Sequence, residues 1–326
     1  MLLTTAVQQF FFRLFAFIIS IIYSTSGGYT APSTENPINT SRDGANVVFA
    51  ALADPQISNY MFGRYPVLQA AGDDLHASEC DIDAVLLAGD IAENGLAEEY
   101  QLVYDELSGL DARYICASGN HDIRLRSYSQ CVNRFTSFAN ALNEDESMKN
   151  LSFSEVINGY KFIVLGSDKA TFEEAYFTDA KLEWLENEIA GENGKPVFVI
   201  THQPLKLTHG LPTTWGSGNN EGAGHIGDQS DAVEAIITKY DNVVFITGHL
   251  HTGLGEYTYE TKGKAHLVNL PSLCIENKDG SYNDAGIGYM VEVYDDEIIF
   301  RARDFAKGTW LPDYDIKIPV AATTVA

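Results

Sequence analysis

The sequence of 326 residues predicts an α/β fold with a parallel sheet in its first half and a second, more antiparallel sheet toward the C-terminus. Three observations carry this expectation. Short apolar runs alternate with stretches of helical periodicity, the pattern of parallel strands joined by helices. The runs are continuously apolar, which suits strands covered on both faces. After residue 255 the helical stretches give way to hairpin-like strand runs.

Strand runs fall at 47–53, 84–88, 114–118, 161–165, 196–201 and 243–247. Helical stretches fall around Leu75 and over 96–110, 179–189 and 231–240. In 96–110, Tyr100, Val103, Tyr104 and Leu107 recur at helical spacing and form one apolar face. Later strands are expected at 255–260, 265–270, 289–293 and 297–303, with Asp295 and Asp296 forming the turn between the last two. No Pro- or Gly-rich break divides the chain after residue 45, so one domain is expected over 45–326.

The N-terminus differs in kind. Residues 6–23 are largely apolar around Arg13, and the run 14–23 has the length of a signal-peptide core. That run is too short by itself to span a bilayer. Ser24-Thr25-Ser26 offers a small-x-small cleavage pattern before Gly27. Residues 1–26 are therefore expected to be a signal peptide, with an uncleaved N-terminal anchor as the second reading and a buried core helix as the third. Residues 27–44 (GGYTAPSTENPINTSRDG) read as a flexible linker. The expected location is secreted or cell-envelope, with membrane contact only through an uncleaved N-terminal segment.

Lys and Arg number 21 against 45 Asp and Glu, a net charge of −24. That balance argues against a nucleic acid duplex as partner, because such binding needs a basic track to displace counterions. It also argues against an anionic membrane surface. The four cysteines, Cys80, Cys116, Cys131 and Cys274, form no C-x-x-C pair, which excludes a zinc knuckle or thioredoxin motif. Cys116 lies inside an apolar run and reads as a buried thiol.

Five polar motifs each follow a strand run. They are Asp54-Pro55-Gln56, Gly89-Asp90, Gly119-Asn120-His121-Asp122, Thr201-His202 and Gly248-His249-Leu250-His251. Open α/β sheets bind ligands at the carboxyl ends of their strands, so these motifs meet at one edge. Asp54 and Gln56 are two residues apart on extended chain and share a side, as do His249 and His251. Asp90 follows Gly89, and a carboxylate there has two oxygens with which to bridge two cations. Asn120 adds an amide oxygen and His202 an imidazole. Mixed nitrogen and oxygen donors suit two divalent or trivalent ions, with Mn, Fe, Zn and Co all open. Each motif alone has an ordinary reading: Gly-Asp is a common turn, and His249 with His251 fits an alternating strand face. Their order and common placement separate the set from those readings.

The series resembles the calcineurin-like metallophosphoesterase superfamily over roughly residues 45–304. The family's pattern runs Asp-x-His, Gly-Asp, Gly-Asn-His-Asp or -Glu, His, then Gly-His-x-His. The resemblance implies two mixed β-sheets packed as a sandwich flanked by helices, in four layers. It implies a first metal held by Asp54, Gln56, Asp90 and His251, and a second held by Asp90, Asn120, His202 and His249. His121 would protonate the leaving group or clamp the phosphoryl oxygens, and Asp122 would orient His121. Gln56 departs from the pattern, which has His there. An amide oxygen is a poorer donor than imidazole for late transition metals, which points to a weaker first site or a harder ion. Purple acid phosphatases look similar but place Tyr three residues after the Gly-Asp aspartate. Glu93 holds that position here, reading either as a further metal contact or as an acid preceding the helix at Leu96.

Two adjacent cations lower the pKa of a shared water and so supply the attacking hydroxide. The expected function is hydrolysis of a small phosphate ester, with a phosphomonoester narrowly ahead of a cyclic nucleotide or other phosphodiester. A catalytically weak cell-surface binding module on the same fold is the alternative of another class. The long insert over 206–229 carries His209, Trp215 and His225 as candidate substrate contacts, and reads equally as a surface loop. Arg124 is a further candidate, either on phosphate or on a nearby carboxylate.

Overall fold

The computed structural model describes residues 13–14, 18, 36–192, 194–215 and 224–320. The expected targeting segment lies outside these residues apart from Arg13, Leu14 and Ile18, as do residues 27–35 of the expected linker. Among the described residues no helix is long and apolar enough to cross a membrane.

The first sheet begins with three parallel strands, β1 (Val47–Leu52), β2 (Ala84–Ala88) and β3 (Arg113–Ala117). The second sheet begins with the hairpin of β4 (Phe153–Ile157) and β5 (Tyr160–Val164), then adds β6 (Val197–Ile200) and β7 (Val243–Thr247) in parallel. The remaining strands are β8 (Tyr259–Lys262), β9 (Ala265–Asn269), β10 (Ile287–Val293), β11 (Glu297–Asp304), β12 (Thr309–Trp310) and β13 (Ile316–Pro319). The orders are β12-β11-β10-β1-β2-β3, with β13 also on β11, and β4-β5-β6-β7-β9-β8. Both sheets are mixed, as the sequence resemblance implies.

The helices are α1 (Tyr65–His76), α2 (Ala97–Leu107), α3 (Asn120–Ile123), α4 (Tyr128–Leu142), α5 (Asp179–Ala190) and α6 (Ser230–Ile237). Strand periodicity builds four layers from them. Val47, Phe49 and Ala51 of β1 face the second sheet, where they meet Phe162, Val164, Phe198 and Ile200. Val48, Ala50 and Leu52 face the other way, onto Leu68, Leu75, Val103 and Phe135 of α1, α2 and α4. On the far side, Ile163, Val197 and Val199 pack on Leu185, Ile189, Val233 and Ile237 of α5 and α6. Phe49 meets Phe162 and Phe198 edge-on, each with ring centroids 5.2 Å apart, which locks the inter-sheet core.

Three expectations need correction. The C-terminal strands do not form a sheet of their own: β8 and β9 complete the second sheet, whereas β10 to β13 extend the first. Hairpin signals are local, and pairing Val47 with Val293 depends on contacts between the chain ends. The strand expected at 255–260 starts only at Tyr259, since the chain turns at Gly255 and Thr258 donates its backbone N–H to Gly255 O. The sequence reading also omits α4, whose Cys131, Phe135, Phe138, Ala139 and Leu142 are buried at helical spacing. Within the stretch read as a linker, residues 36–44 are fastened to the domain. Ile38 is buried in the helix-side core, Ser41 donates its backbone N–H to Glu292, and Asn36 O accepts from Arg303. The four cysteines are free, and Cys116 is buried.

Candidate metal centre

Parallel strands of both sheets end at one edge, and the polar motifs emerge there. Asp54 and Gln56 follow β1, Asp90 follows β2, and Asn120 and His121 follow β3. His202 follows β6, and His249 and His251 follow β7. Hydrogen bonds sew the loops together across the sheets. Asp54 N donates to Gly89 O at 3.1 Å, Gln56 N to Asp90 O at 2.8 Å, and His249 N to Asp54 Oδ2 at 2.9 Å.

The backbone is strained where it delivers these side chains. Asp54 (φ 50°), Gln56 (40°), Asp90 (49°), His249 (74°) and His251 (50°) all occupy the left-handed region. Non-glycine residues reach it at a cost, and such outliers gather at functional sites. Gly89 takes φ +99°, and a Cβ on it would lie 2.4 Å from His202 Nδ1. At Gly119 a Cβ would lie 2.0 Å from Asp90 Oδ1, so only glycine lets that loop close on the carboxylate.

The side chains converge. His202 Nε2 is 3.1 Å from Asp90 Oδ2 and 3.7 Å from Asp54 Oδ1. His251 Nε2 is 3.2 Å from Asp54 Oδ1, and His249 Nδ1 is 3.2 Å from His202 Nε2. Asp90, His202 and His249 each offer a ligand atom within 4.8 Å of the others, and all three are buried. Gln56 Nε2 donates to Asp90 Oδ2 at 3.2 Å; as a ligand it would present the oxygen of the same amide.

The donor set fits metal ions. Asn120 Oδ1 and His249 Nε2 are buried without a hydrogen-bond partner, and an orphaned acceptor in an interior calls for a cation or a donor. His202 Nδ1 meets Ala88 O at 2.9 Å, which places the proton on Nδ1 and leaves Nε2 as a lone-pair donor. Charge tells the same story. Burial disfavours the His202 cation, yet Asp90 and Asp54 push its pKa up to about 10. Burial likewise opposes ionisation of Asp90, but His202 and His121 hold its carboxyl well below the usual range. Burial and the neighbouring His202 hold His249 well below its ordinary value. An ion held at His202 Nε2 would displace the proton that these carboxylates favour there. Asp54, Gln56, Asp90, Asn120, His202, His249 and His251 would hold the ions.

His121 stands beside this cluster. Its Nε2 is 3.8 Å from Asp90 Oδ2, and its backbone N–H donates to Asp90 Oδ1 at 2.8 Å. Burial lowers its pKa, whereas Asp90 and Glu93 raise it, with a net rise to about 9. Asp122 does not orient His121 as the resemblance implies. Its carboxylate instead accepts from Gly119 N, Ile91 N, Ala92 N and Tyr100 Oη, because α3 turns it back toward the strand ends. Burial, then Asp90, raises its pKa to about 7. Glu93 takes the orienting place: its backbone oxygen lies 2.9 Å and its Oε1 3.3 Å from His121 Nδ1. Arg64 pairs with Glu93 and also donates to Gln56 O at 2.6 Å.

The candidate substrate contacts divide. Arg124 Nη2 is 3.0 Å from His121 Nδ1, and its guanidinium lies over the Phe172 ring at 5.2 Å. Trp215 stacks on the His249 ring, with centroids 4.4 Å apart and planes 22° from parallel. His209 does not join the site. It is buried with Nδ1 2.8 Å from Tyr257 O, and its backbone N–H donates to Glu260, which anchors the insert to β8 and the turn before it. His225 Nδ1 accepts from Gly227 N at 2.9 Å, a bond within the insert. Glu173, which the sequence reading omits, sits against Asn120 and Arg124.

A family-wide sequence profile, that of the calcineurin-like phosphoesterases, matches residues 47–253. This chain belongs to that family. It is 25% identical over 178 residues to a probable glycerophosphodiester phosphodiesterase of Arcobacter nitrofigilis, a match covering 52% of this chain and 56% of the relative. It is 22% identical over 197 residues to a 3′,5′-cyclic-nucleotide phosphodiesterase of Nostoc sp., covering 60% of this chain and 64% of the relative. The match thus spans less than two thirds of either curated relative. Among solved structures, a purple acid phosphatase from yellow lupin (Lupinus luteus) seeds shares the fold. Its TM-score is 0.56 at 14% identity, over 84% of this chain and 53% of that one.

Proposed function

We propose that this protein is a metal-dependent phosphoesterase whose substrates are small phosphodiesters. The observation that carries the reading is the buried cluster of Asp90, His202 and His249, with Asp54, Gln56 and His251 against it and with Asn120 Oδ1 and His249 Nε2 buried and unpaired. Bound metal ions would supply an activated water and neutralise phosphoryl oxygens. Around them, His121 holds a proton on the side of Asp90, where a leaving oxygen can take it. Asn120 and Arg124 offer nitrogen donors beside it. The names of the two relatives support diesters over the monoesters that the sequence reading narrowly favours. A binding module without turnover has no use for an acid at His121.

The test uses the full chain loaded with Mn²⁺, Zn²⁺ or Co²⁺. Expected are two ions per chain, turnover of bis-p-nitrophenyl phosphate above p-nitrophenyl phosphate, and loss of turnover on chelation. Asp90→Ala removes both metal and activity. A panel of 2′,3′- and 3′,5′-cyclic nucleotides and glycerophosphodiesters then ranks the natural classes. Absence of turnover on every substrate after loading sinks the proposal. We also propose export, supported by the apolar run 14–23. Recovery of the full-length chain from the cytosol at its uncleaved mass of 35.8 kDa would overturn that part.

A further inference from the structure

The segment between β5 and α5 brings a carboxylate to Asn120 and Arg124, beside the proposed metal centre. Glu173 Oε2 lies 3.3 Å from Asn120 Nδ2, and Oε1 lies 3.4 Å from Arg124 Nη1. The backbone holds it there from both sheets. Phe172 O accepts from Asn120 Nδ2 at 3.1 Å, and Glu173 O accepts from Gln203 Nε2 at 2.9 Å, the residue after His202. The carboxylate is not sealed in, since the side chain keeps 28% of its exposure. Arg124 in turn touches His121 Nδ1 at 3.0 Å. Glu173 therefore occupies Asn120 Nδ2 and Arg124 Nη1, two nitrogen donors beside His121.

We propose that Glu173 is a specificity residue: its carboxylate disfavours dianionic phosphomonoesters and favours monoanionic phosphodiesters whose alcohol part carries a hydroxyl donor. This rests on the phosphoesterase reading above. A phosphoryl group arriving at Asn120 and Arg124 brings its charge next to the Glu173 carboxylate. A monoester carries about one more negative charge than a diester at neutral pH, so it meets the larger repulsion. A diester also brings a second alcohol. A glycerol or ribose hydroxyl can donate to the carboxylate, an acceptor-only group, and the resulting bond is charge-assisted. The same side chain thus repels one substrate class and binds the other, which is how discrimination is built.

The test compares Glu173→Gln, Glu173→Asp and wild type as full-length, Mn²⁺-loaded proteins. Bis-p-nitrophenyl phosphate and p-nitrophenyl phosphate release the same alcohol and differ in charge. In Glu173→Gln the monoester-to-diester ratio of kcat/KM should rise about tenfold, from loss of one like charge in a partly solvated site. Glu173→Asp should keep the wild-type ratio. Added salt should shrink the gap between Gln variant and wild type, because the carboxylate is partly exposed. A readout without turnover accompanies this: calorimetry with inorganic phosphate, which Glu173→Gln should bind about tenfold more tightly. A glycerol-bearing diester should lose ground to bis-p-nitrophenyl phosphate in the Gln variant. An unchanged ratio with unchanged phosphate affinity overturns the role of Glu173 and leaves the phosphoesterase reading standing. Equal losses in Gln and Asp variants on both substrates also overturn it, by showing a purely structural anchor. No turnover in wild type sinks the phosphoesterase reading, while the phosphate titration still decides on Glu173.

Discussion

His121 is the proton donor proposed above. It contacts Asp90 but lies outside the group of donors that would hold metal, so its loss separates proton transfer from ion binding. His121→Ala should retain metal content and lower turnover by about 10²–10⁴-fold. The loss should be larger for an alkyl phosphodiester than for a p-nitrophenyl one, whose alcohol leaves without a proton. Equal losses on both would assign His121 to electrostatic clamping instead. At this scale the proposed ligand types were legible from the order of five polar motifs, each placed after a strand run, and not from any one motif. The partners of His121 were not. Glu93 lies 28 residues away in sequence, and Asp122 is its chain neighbour but faces the other way.

Among the elements, the short α3 turn decides where His121 and Asn120 point. Asp122 secures it with bonds from Gly119, Ile91 and Ala92, and Tyr100 of α2 donates its hydroxyl to the same carboxylate at 3.0 Å. Tyr100 is buried and stacks on Phe138 of α4 with centroids 4.9 Å apart. Tyr100→Phe keeps that packing and removes one bond. It should cost about 1–3 kcal/mol of stability in denaturant unfolding, with metal content unchanged. A loss of metal at unchanged stability would mean that Tyr100 acts on the site rather than on the turn. The apolar face of α2 was visible as periodicity, but the use of its one hydroxyl was not. Periodicity reports which side is buried and says nothing of which polar atom the buried side must satisfy.

For the whole molecule, the clearest long-range tie is Asp74 of α1 with Arg303 of β11. Both are buried, and the carboxylate receives Nε and Nη2 at 2.6 Å each. Trp310 lies over the guanidinium at 4.5 Å, and Arg303 also donates to Asn36 O. Breaking a buried pair strands the remaining charge. Asp74→Ala should lower unfolding free energy by about 3–5 kcal/mol, with kcat unchanged in the folded fraction. A cost below about 1 kcal/mol would place the guanidinium in contact with water. Periodicity and residue chemistry, which are local properties, sufficed for the α/β class, for the strand runs carrying the five motifs and for the residue types proposed as metal donors. Long-range packing settled that β10 to β13 extend the first sheet, that Glu93 rather than Asp122 meets the His121 ring, and that Glu173 reaches Asn120. Those outcomes rest on pairings between distant segments, which are chosen by the burial they complete together and leave no mark in either segment alone.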